Sequence, residues 1–457
     1  MNLESIKKYA PLSERFNAPG HWYSSYPSLN HWTEDFTEIE YRNRLRSFIA
    51  TNKPTHLYLH IPFCKRLCTY CLCNVIISSD REKIQHFLDH LITEIRMLGE
   101  FKPNIREIHF GGGTPSHLDR KQFGQLCDAL ETICDLKTLD EVAMEVDPRT
   151  VNGEDLHYYA DRGVTRISFG IQDFDPEVQK AINREQPPSM IEGLLRERHR
   201  FKGVNFDLLY GLPKQTQATL SETVRLTKWL APDRITLLKY CHAPEVRRHM
   251  KLIEENDLPD PDELPIMFID TTQNLTESGY EWIGLDHFAT KMDSLSSGKL
   301  YRTFNGFTPG RTNDMIGVGP TSTGAFTDTY SQSIYDLPGY YKAIEEGKFP
   351  VLRGYRMSRD DLMRREVIFS LLCNQEVDLG RYGDYFEKEW KKLYALPELV
   401  LVRNKNVKVT KWGRVLLRNI CKIFDVKDVE AKHLKIAQLS MTRRIHAVPE
   451  NTAHQPA

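Results

Sequence analysis

Four of this chain's nine cysteines fall in one stretch, Cys64-Lys-Arg-Leu-Cys68-Thr-Tyr-Cys71-Leu-Cys73. Cys64, Cys68 and Cys71 have the spacing C-x3-C-x2-C, which offers three thiolates to a four-iron cluster. Such a cluster is closed by four thiolates, one per iron. Three leave one iron open to bind and activate a small molecule. A zinc ribbon would need a second ligand pair at short spacing. The other cysteines, Cys127, Cys134, Cys241, Cys373 and Cys421, stand singly. A disulfide framework fits poorly with a chain of 457 residues, an odd cysteine count and residues 1–9, which lack the apolar run of a secretory leader.

Further groups with chemical reach lie in short segments downstream. Gly111-Gly112-Gly113-Thr114 is a turn that can bring backbone N–H and C=O groups against a ligand. Glu145 can accept from a ribose hydroxyl or an ammonium group, and Gln172 and Asp207 can meet adenine or ribose edges. Arg184 can pair a carboxylate through two parallel hydrogen bonds. Each has a bland counterpart: a plain tight turn, a strand-end acid in solvent, a solvated helical arginine. His109 and His157 read as structural histidines. Cys127 and Cys134, seven apart, read as a core stripe.

These residues need elements to position them. Short β-rich runs at 56–61, 106–110, 141–146, 166–171, 205–210 and 234–239 alternate with helical patterns at 80–99, 121–134, 177–183, 190–200 and 219–230. That alternation marks βα units. Parallel strands require helical crossovers, so six units make an α/β fold with a partial (β/α)6 barrel. The cysteines follow the first strand and the glycines the second. Glu145 and Asp147 end the third, Gln172 the fourth, and the fifth carries Asp207. Barrel enzymes gather their chemistry at the carboxyl ends of the strands, so motifs and topology agree.

Around this core, residues 1–50 read as an extended N-terminal arm, with Trp22, Tyr23, Tyr26 and Trp32. Residues 51–350 hold the core and its extension, and 290–350 read as Gly- and Ser-rich loops. Residues 351–440 read as a mostly helical C-terminal domain, with helices at 360–373, 382–393 and 411–423 and a hairpin at 399–409. A polar tail follows at 441–457. A formal net charge of −1 points to neither nucleic acid nor an anionic membrane surface. No apolar run has the length of a membrane span. A thiolate cluster is expected in a reducing compartment, the cytoplasm, and the chain is expected to be a monomer.

The cysteine spacing, with aromatic Tyr70 before the third cysteine, is similar to that of the radical S-adenosylmethionine (SAM) superfamily. The resemblance implies a [4Fe–4S] cluster whose open iron is chelated by the methionyl amine and carboxylate of SAM. Reductive cleavage of SAM then gives methionine and a 5′-deoxyadenosyl radical. Within that superfamily the chain resembles the oxygen-independent coproporphyrinogen III oxidases (dehydrogenases) of haem biosynthesis. Segments carrying the resemblance include Tyr23-Ser-Ser-Tyr-Pro27, Glu145-Val-Asp-Pro-Arg149, Gly170-Ile-Gln-Asp-Phe174, Asn183-Arg-Glu-Gln186, Asp286-His-Phe288 and Arg418-Asn-Ile-Cys421.

The resemblance implies Cys64, Cys68 and Cys71 as cluster ligands and Cys73 as a required non-ligand, with Tyr58 and Glu145 beside it in catalysis. It implies two SAM molecules. Tyr58, Gly112, Glu145 and Thr323 match positions at the first. Tyr70, Gly113, Thr114, Gln172, Arg184, Asp207 and Cys241 match positions at the second. The implied reaction converts two propionates of coproporphyrinogen III to vinyls, with a reducing electron-donor protein as partner. Arg302, Arg311 and Lys239, with Trp22 and Tyr23, are expected to meet the carboxylates of the tetrapyrrole substrate. The chain departs from the family pattern at Leu72, Trp22, Cys241 and Thr323, all near the expected ligands. A non-decarboxylating relative that binds haem, or one acting on another tetrapyrrole, is the competing expectation.

Overall fold

The computed structural model describes residues 22–310 and 312–427. The expected tail at 441–457, the start of the arm at 1–21 and the stretch 428–440 lie outside the described residues.

A period of two governs the core strands. In β1 (Thr55–Ile61), Leu57, Leu59 and Ile61 are fully buried, while His56, Tyr58 and His60 occupy the alternate positions. After the short pair β2 (Phe63–Cys64) and β3 (Ile76–Ile77) come β4 (Ile105–Gly112), β5 (Glu141–Val146), β6 (Arg166–Gln172), β7 (Gly203–Tyr210) and β8 (Arg234–Lys239). They repeat the pattern: Ile108 and Phe110, Val142 and Met144, Ile167 and Phe169, Val204 and Phe206, and Ile235 and Leu237 all belong to the buried core. Successive strand residues point to opposite faces. The apolar set therefore packs outward under helices, and the alternate polar set lines the concave inner face.

The six strands pair in parallel in the order β1-β4-β5-β6-β7-β8. The helices between them are amphipathic and firmly capped. Asp80 accepts from Glu82 N and Lys83 N at the start of Arg81–Gly99, and Asp119 and Gln122 form a reciprocal capping box before Arg120–Glu131. The sheet continues past β8 through β9 (Tyr280–Gly284) and β10 (His287–Thr290), with β10 antiparallel to both β8 and β9. A separate hairpin, β11 (Tyr301–Thr303) and β12 (Gly306–Thr308), stands over the concave face.

Three expectations are corrected. The arm is not extended throughout: Glu38–Ile49 is a helix capped by Thr37, with Tyr41, Leu45 and Phe48 on its buried face. The stretch 290–350 is not only loop. It holds β13 (Met315–Val318), parallel to β1, followed by β14 (Thr323–Phe326) and β15 (Thr329–Ser333). The antiparallel run β13–β14–β15 ends in β16 (Val351–Arg356), so the core sheet extends past the expected boundary at 351. The result is one twelve-stranded sheet. Glycine and serine hid these strands because Gly317 and Gly324 are close-approach positions: a Cβ at Gly317 would lie 2.4 Å from the Thr323 carbonyl oxygen. Finally, the helix expected at 411–423 is two, Lys411–Val415 and Leu417–Lys422. The C-terminal part also contains β17 (Glu376–Asp378), β18 (Val400–Arg403) and β19 (Asn406–Val409), in the order β17-β19-β18.

Candidate functional site

At the end of β1 the chain turns into the cysteine segment, which lies against the end of β4. Gly113 permits that approach, since a Cβ there would sit 2.6 Å from the Pro62 carbonyl oxygen and 3.0 Å from Cys64 Sγ. The Thr114 hydroxyl donates to Cys64 Sγ at 3.1 Å. Burial pushes the Cys64 thiol up to about 12, with Cys71 and Cys68 close enough to add to it. Cys71 behaves oppositely: a hydrogen bond from Cys73 holds its thiol down at about 7, while Cys73 is driven well above the usual range. The fourth cysteine therefore keeps its proton and stabilises a thiolate at the third.

Cys68 is flanked by two guanidinium groups. Arg184 Nη1 lies 3.5 Å and Arg149 Nη2 3.6 Å from its Sγ. Asp147 ties both arginines in place, accepting from Arg149 Nη2 at 2.7 Å and Arg184 Nη1 at 3.2 Å. Burial alone would raise the Asp147 carboxyl, but Arg184 and Arg149 hold it at about 2. Arg184 also donates twice to the Gly170 carbonyl, at 2.7 and 3.1 Å. The Gln172 amide lies beside it, both side chains crowding the space a Cβ at Gly170 would take. Tyr70 is half-buried next to Arg184, Cys68 and Cys71.

A second group stands on the inner face just below. Glu145 Oε1 meets His109 Nε2 at 3.0 Å, and its Oε2 accepts from Gly112 N at 3.3 Å. Tyr58 packs between His109 and His60. An Nε2–H on His60 donates to the Asn74 carbonyl at 3.2 Å, which leaves Nδ1 to accept from the Tyr58 hydroxyl at 3.0 Å. Burial lowers His60 and raises Tyr58, so this pair is neutral. Asp207 accepts from Ser168 and Asn205 at 2.7 and 2.8 Å, and burial raises its carboxyl.

Glu145, His109, Ser168, Asn205 and Asp207 line a cavity of about 390 Å³ that runs down the concave face. Its floor is ionic and self-paired. Arg166 Nε meets Glu141 at 2.8 Å, Arg234 Nε meets Asp293 at 2.8 Å, and His56 Nδ1 meets Glu107 at 2.9 Å. The hairpin wall adds Arg302 and Phe307, and the arm adds Trp22.

The structure thus brings together Cys64, Cys68, Cys71, Cys73, Tyr70, Gly113, Thr114, Gln172 and Arg184 at the rim. Tyr58, Gly112 and Glu145 join them just inside, and Asp207 lies along the cavity. Thr323 stands across Gly317, the residue in register with Tyr58. Cys241 is exposed after β8, and among the described residues no hydrogen bond joins it to these groups. Of the expected substrate contacts, Arg302 and Trp22 line the cavity, Lys239 is half-buried at the end of β8, and Arg311 lies outside the described residues.

Sequence reasoning missed His109, His60 and Arg149. The signal for both histidines was available, since they share the strand parity of Glu107 and Tyr58. Arg149 carried no such signal.

The donors suit a four-iron cluster. Among the described residues no three His, Cys, Asp or Glu side chains converge as ligands of a single ion. Cluster thiolates attach to separate irons and need not converge on a point. Cys73 favours the thiolate form of Cys71, the form that binds iron, and guanidinium N–H groups face Cys68.

An open α/β barrel with a three-cysteine rim defines a radical SAM protein, and the family model described as Radical SAM superfamily matches residues 58–227. Oxygen-independent coproporphyrinogen III oxidase from Escherichia coli is 35% identical to the chain, over 93% of this chain and 96% of that protein. The enzyme of the same name from Pseudomonas aeruginosa is 34% identical over the same shares. The solved structure of coproporphyrinogen III oxidase from Escherichia coli, described as a radical SAM enzyme, superposes with a TM-score of 0.84 at 35% identity, covering 89% of this chain and 97% of that one. The chain belongs to the oxygen-independent coproporphyrinogen III oxidase family.

Proposed function

We propose that this chain is the radical SAM oxidoreductase that decarboxylates two propionates of coproporphyrinogen III to vinyl groups, giving protoporphyrinogen IX in haem biosynthesis. One observation carries the proposal beyond kinship: Glu145, which accepts from Gly112 N at the end of β4 beside the cysteine segment, also lines the cavity of the concave face.

When bound, the reduced [4Fe–4S] cluster and SAM supply a 5′-deoxyadenosyl radical that takes a hydrogen atom from the substrate. Each propionate loses that hydrogen from the carbon next to the ring. The carboxylate then leaves as carbon dioxide while one electron passes to an acceptor, and a vinyl group remains. Cys64, Cys68 and Cys71 would hold the cluster. Tyr58, Gly112, Glu145 and Thr323 would hold the SAM on it. Glu145 is suited to accept from that cofactor's ammonium or ribose, with His109 fixing its angle. Tyr70, Gly113, Thr114, Gln172, Arg184, Asp207 and Cys241 would hold a second SAM, the likeness to the family being the support for two.

We further read the protein as a cytoplasmic monomer served by a reducing electron-donor protein. A thiolate cluster needs reducing surroundings, and no helix among the described residues is long and apolar enough to cross a membrane. The test is anaerobic incubation of cluster-reconstituted protein with SAM, reductant and coproporphyrinogen III. Carbon dioxide release that needs all three is expected. Formation of 5′-deoxyadenosine without carbon dioxide would overturn the proposal in favour of another substrate.

A further inference from the structure

Among the described residues, Arg302 is a buried cation in no ion pair. Only 7% of its surface is exposed, and its guanidinium lines the cavity. Its Nε makes one long bond, 3.3 Å to the Tyr23 carbonyl oxygen, its plane lies over the Phe307 ring at 5.0 Å, and its buried Nη1 has no hydrogen-bond partner. Asp286, the acid nearest in its electrostatic surroundings, is already engaged by His287 Nδ1 at 2.7 Å and Arg418 at 3.5 Å. The other lining arginines differ: Arg166 and Arg234 are each paired with both Glu141 and Asp293.

A buried charge left out of any ion pair is destabilising, so a protein that keeps one in a cavity wall has a use for it. We propose that Arg302 is the anchor for a carboxylate of the bound tetrapyrrole, with its guanidinium donating to it. The anchor is assembled from three distant parts of the chain. Tyr23, from the arm, fixes Nε; Phe307, from the facing strand of the hairpin, holds the guanidinium plane; and Asp286, beyond β9, supplies a distant counter-charge. The planar guanidinium can then offer a carboxylate two donors where lysine offers a single point charge. In the arm, the Trp22 ring lies 4.1 Å from the Arg418 guanidinium, so that second cation is already engaged.

This inference rests on a carboxylate-bearing tetrapyrrole as substrate, and its test separates the two. Coproporphyrin III, the fluorescent oxidised form, and its tetramethyl ester are titrated anaerobically into the reconstituted holoenzyme and into the variants Arg302→Met and Arg302→Lys. Wild type should bind the free acid at least tenfold more tightly than the ester. Arg302→Met should lose that preference with cluster content retained, and Arg302→Lys should regain part of it. The ligand-free thermal midpoint of Arg302→Met should be no lower than that of wild type, because an unpaired charge has been removed. A merely structural arginine would lower it. Undiminished free-acid preference in Arg302→Met, or a fall in the ligand-free midpoint, would overturn the anchor. If Arg302 governs binding but wild type releases no carbon dioxide, the anchor stands and the decarboxylation fails. If carbon dioxide forms and Arg302→Met still binds normally, the anchor fails alone.

Discussion

Cys68 sits between two arginines that share one carboxylate, and that arrangement acts on the electron rather than on the substrate. Hydrogen bonds and positive charge at a cluster sulfur favour the reduced state. Arg149, 3.6 Å from Cys68 Sγ and locked by Asp147, is a positioning residue of this kind. Arg149→Met should lower the reduction potential of the reconstituted cluster. A tenfold change in the oxidised-to-reduced ratio at fixed potential corresponds to about 59 mV for one electron. Arg149→Lys should restore part of the shift. An electron-paramagnetic-resonance redox titration without SAM reads this directly, and an unchanged potential in Arg149→Met would remove Arg149 from the electron's path. At this scale the three ligand cysteines were legible because their spacing has few other uses. The histidines were legible only through strand parity, His109 sharing the face of Glu107 and His60 that of Tyr58, and taken singly they read as structural.

Elements set the height of the rim and tie its two halves together. The helix Arg81–Gly99 carries Glu94, a buried carboxylate that accepts from Gly319 N at 2.8 Å and from the Tyr340 hydroxyl at 2.6 Å. It joins the core to the loop after β13 and to the helix Leu337–Glu345. Burial raises the Glu94 carboxyl from 4.5 to about 7. Between those values the native state holds more protons than the unfolded chain, so this contribution to stability falls as pH rises from about 4.5 through about 7. Glu94→Gln keeps an oxygen for both donors and removes the buried charge. Urea unfolding should show a gain on the order of a few kcal/mol at pH 8 and little change at pH 5. An equal effect at both pH values would mean that the charge is not what matters there. The six core strands were legible through alternation and the βα rhythm. β13 to β15 were not, because glycines at close strand contacts break the apolar pattern. The helix Glu38–Ile49 was missed because its charged outer face blurs the narrow stripe of Tyr41, Leu45 and Phe48.

On the scale of the whole molecule, the apolar set of every core strand faces helices and the polar set faces one cavity. The hairpin and the arm complete that cavity from segments 279 residues apart, so it could not be read from any local segment. The near-zero net charge fits a site whose charges are balanced internally, with Arg302 left for the ligand. In the proposed reaction, chemistry started at the cysteine rim reaches a propionate held in this cavity. Coproporphyrinogen III deuterated on the propionate carbon next to the ring tests it, with wild-type holoenzyme, SAM and reductant under strict anaerobiosis and mass spectrometry of both products. Deuterium should appear in 5′-deoxyadenosine in step with a mono-vinyl and then a divinyl tetrapyrrole. Unlabelled 5′-deoxyadenosine with the tetrapyrrole recovered intact would contradict the account.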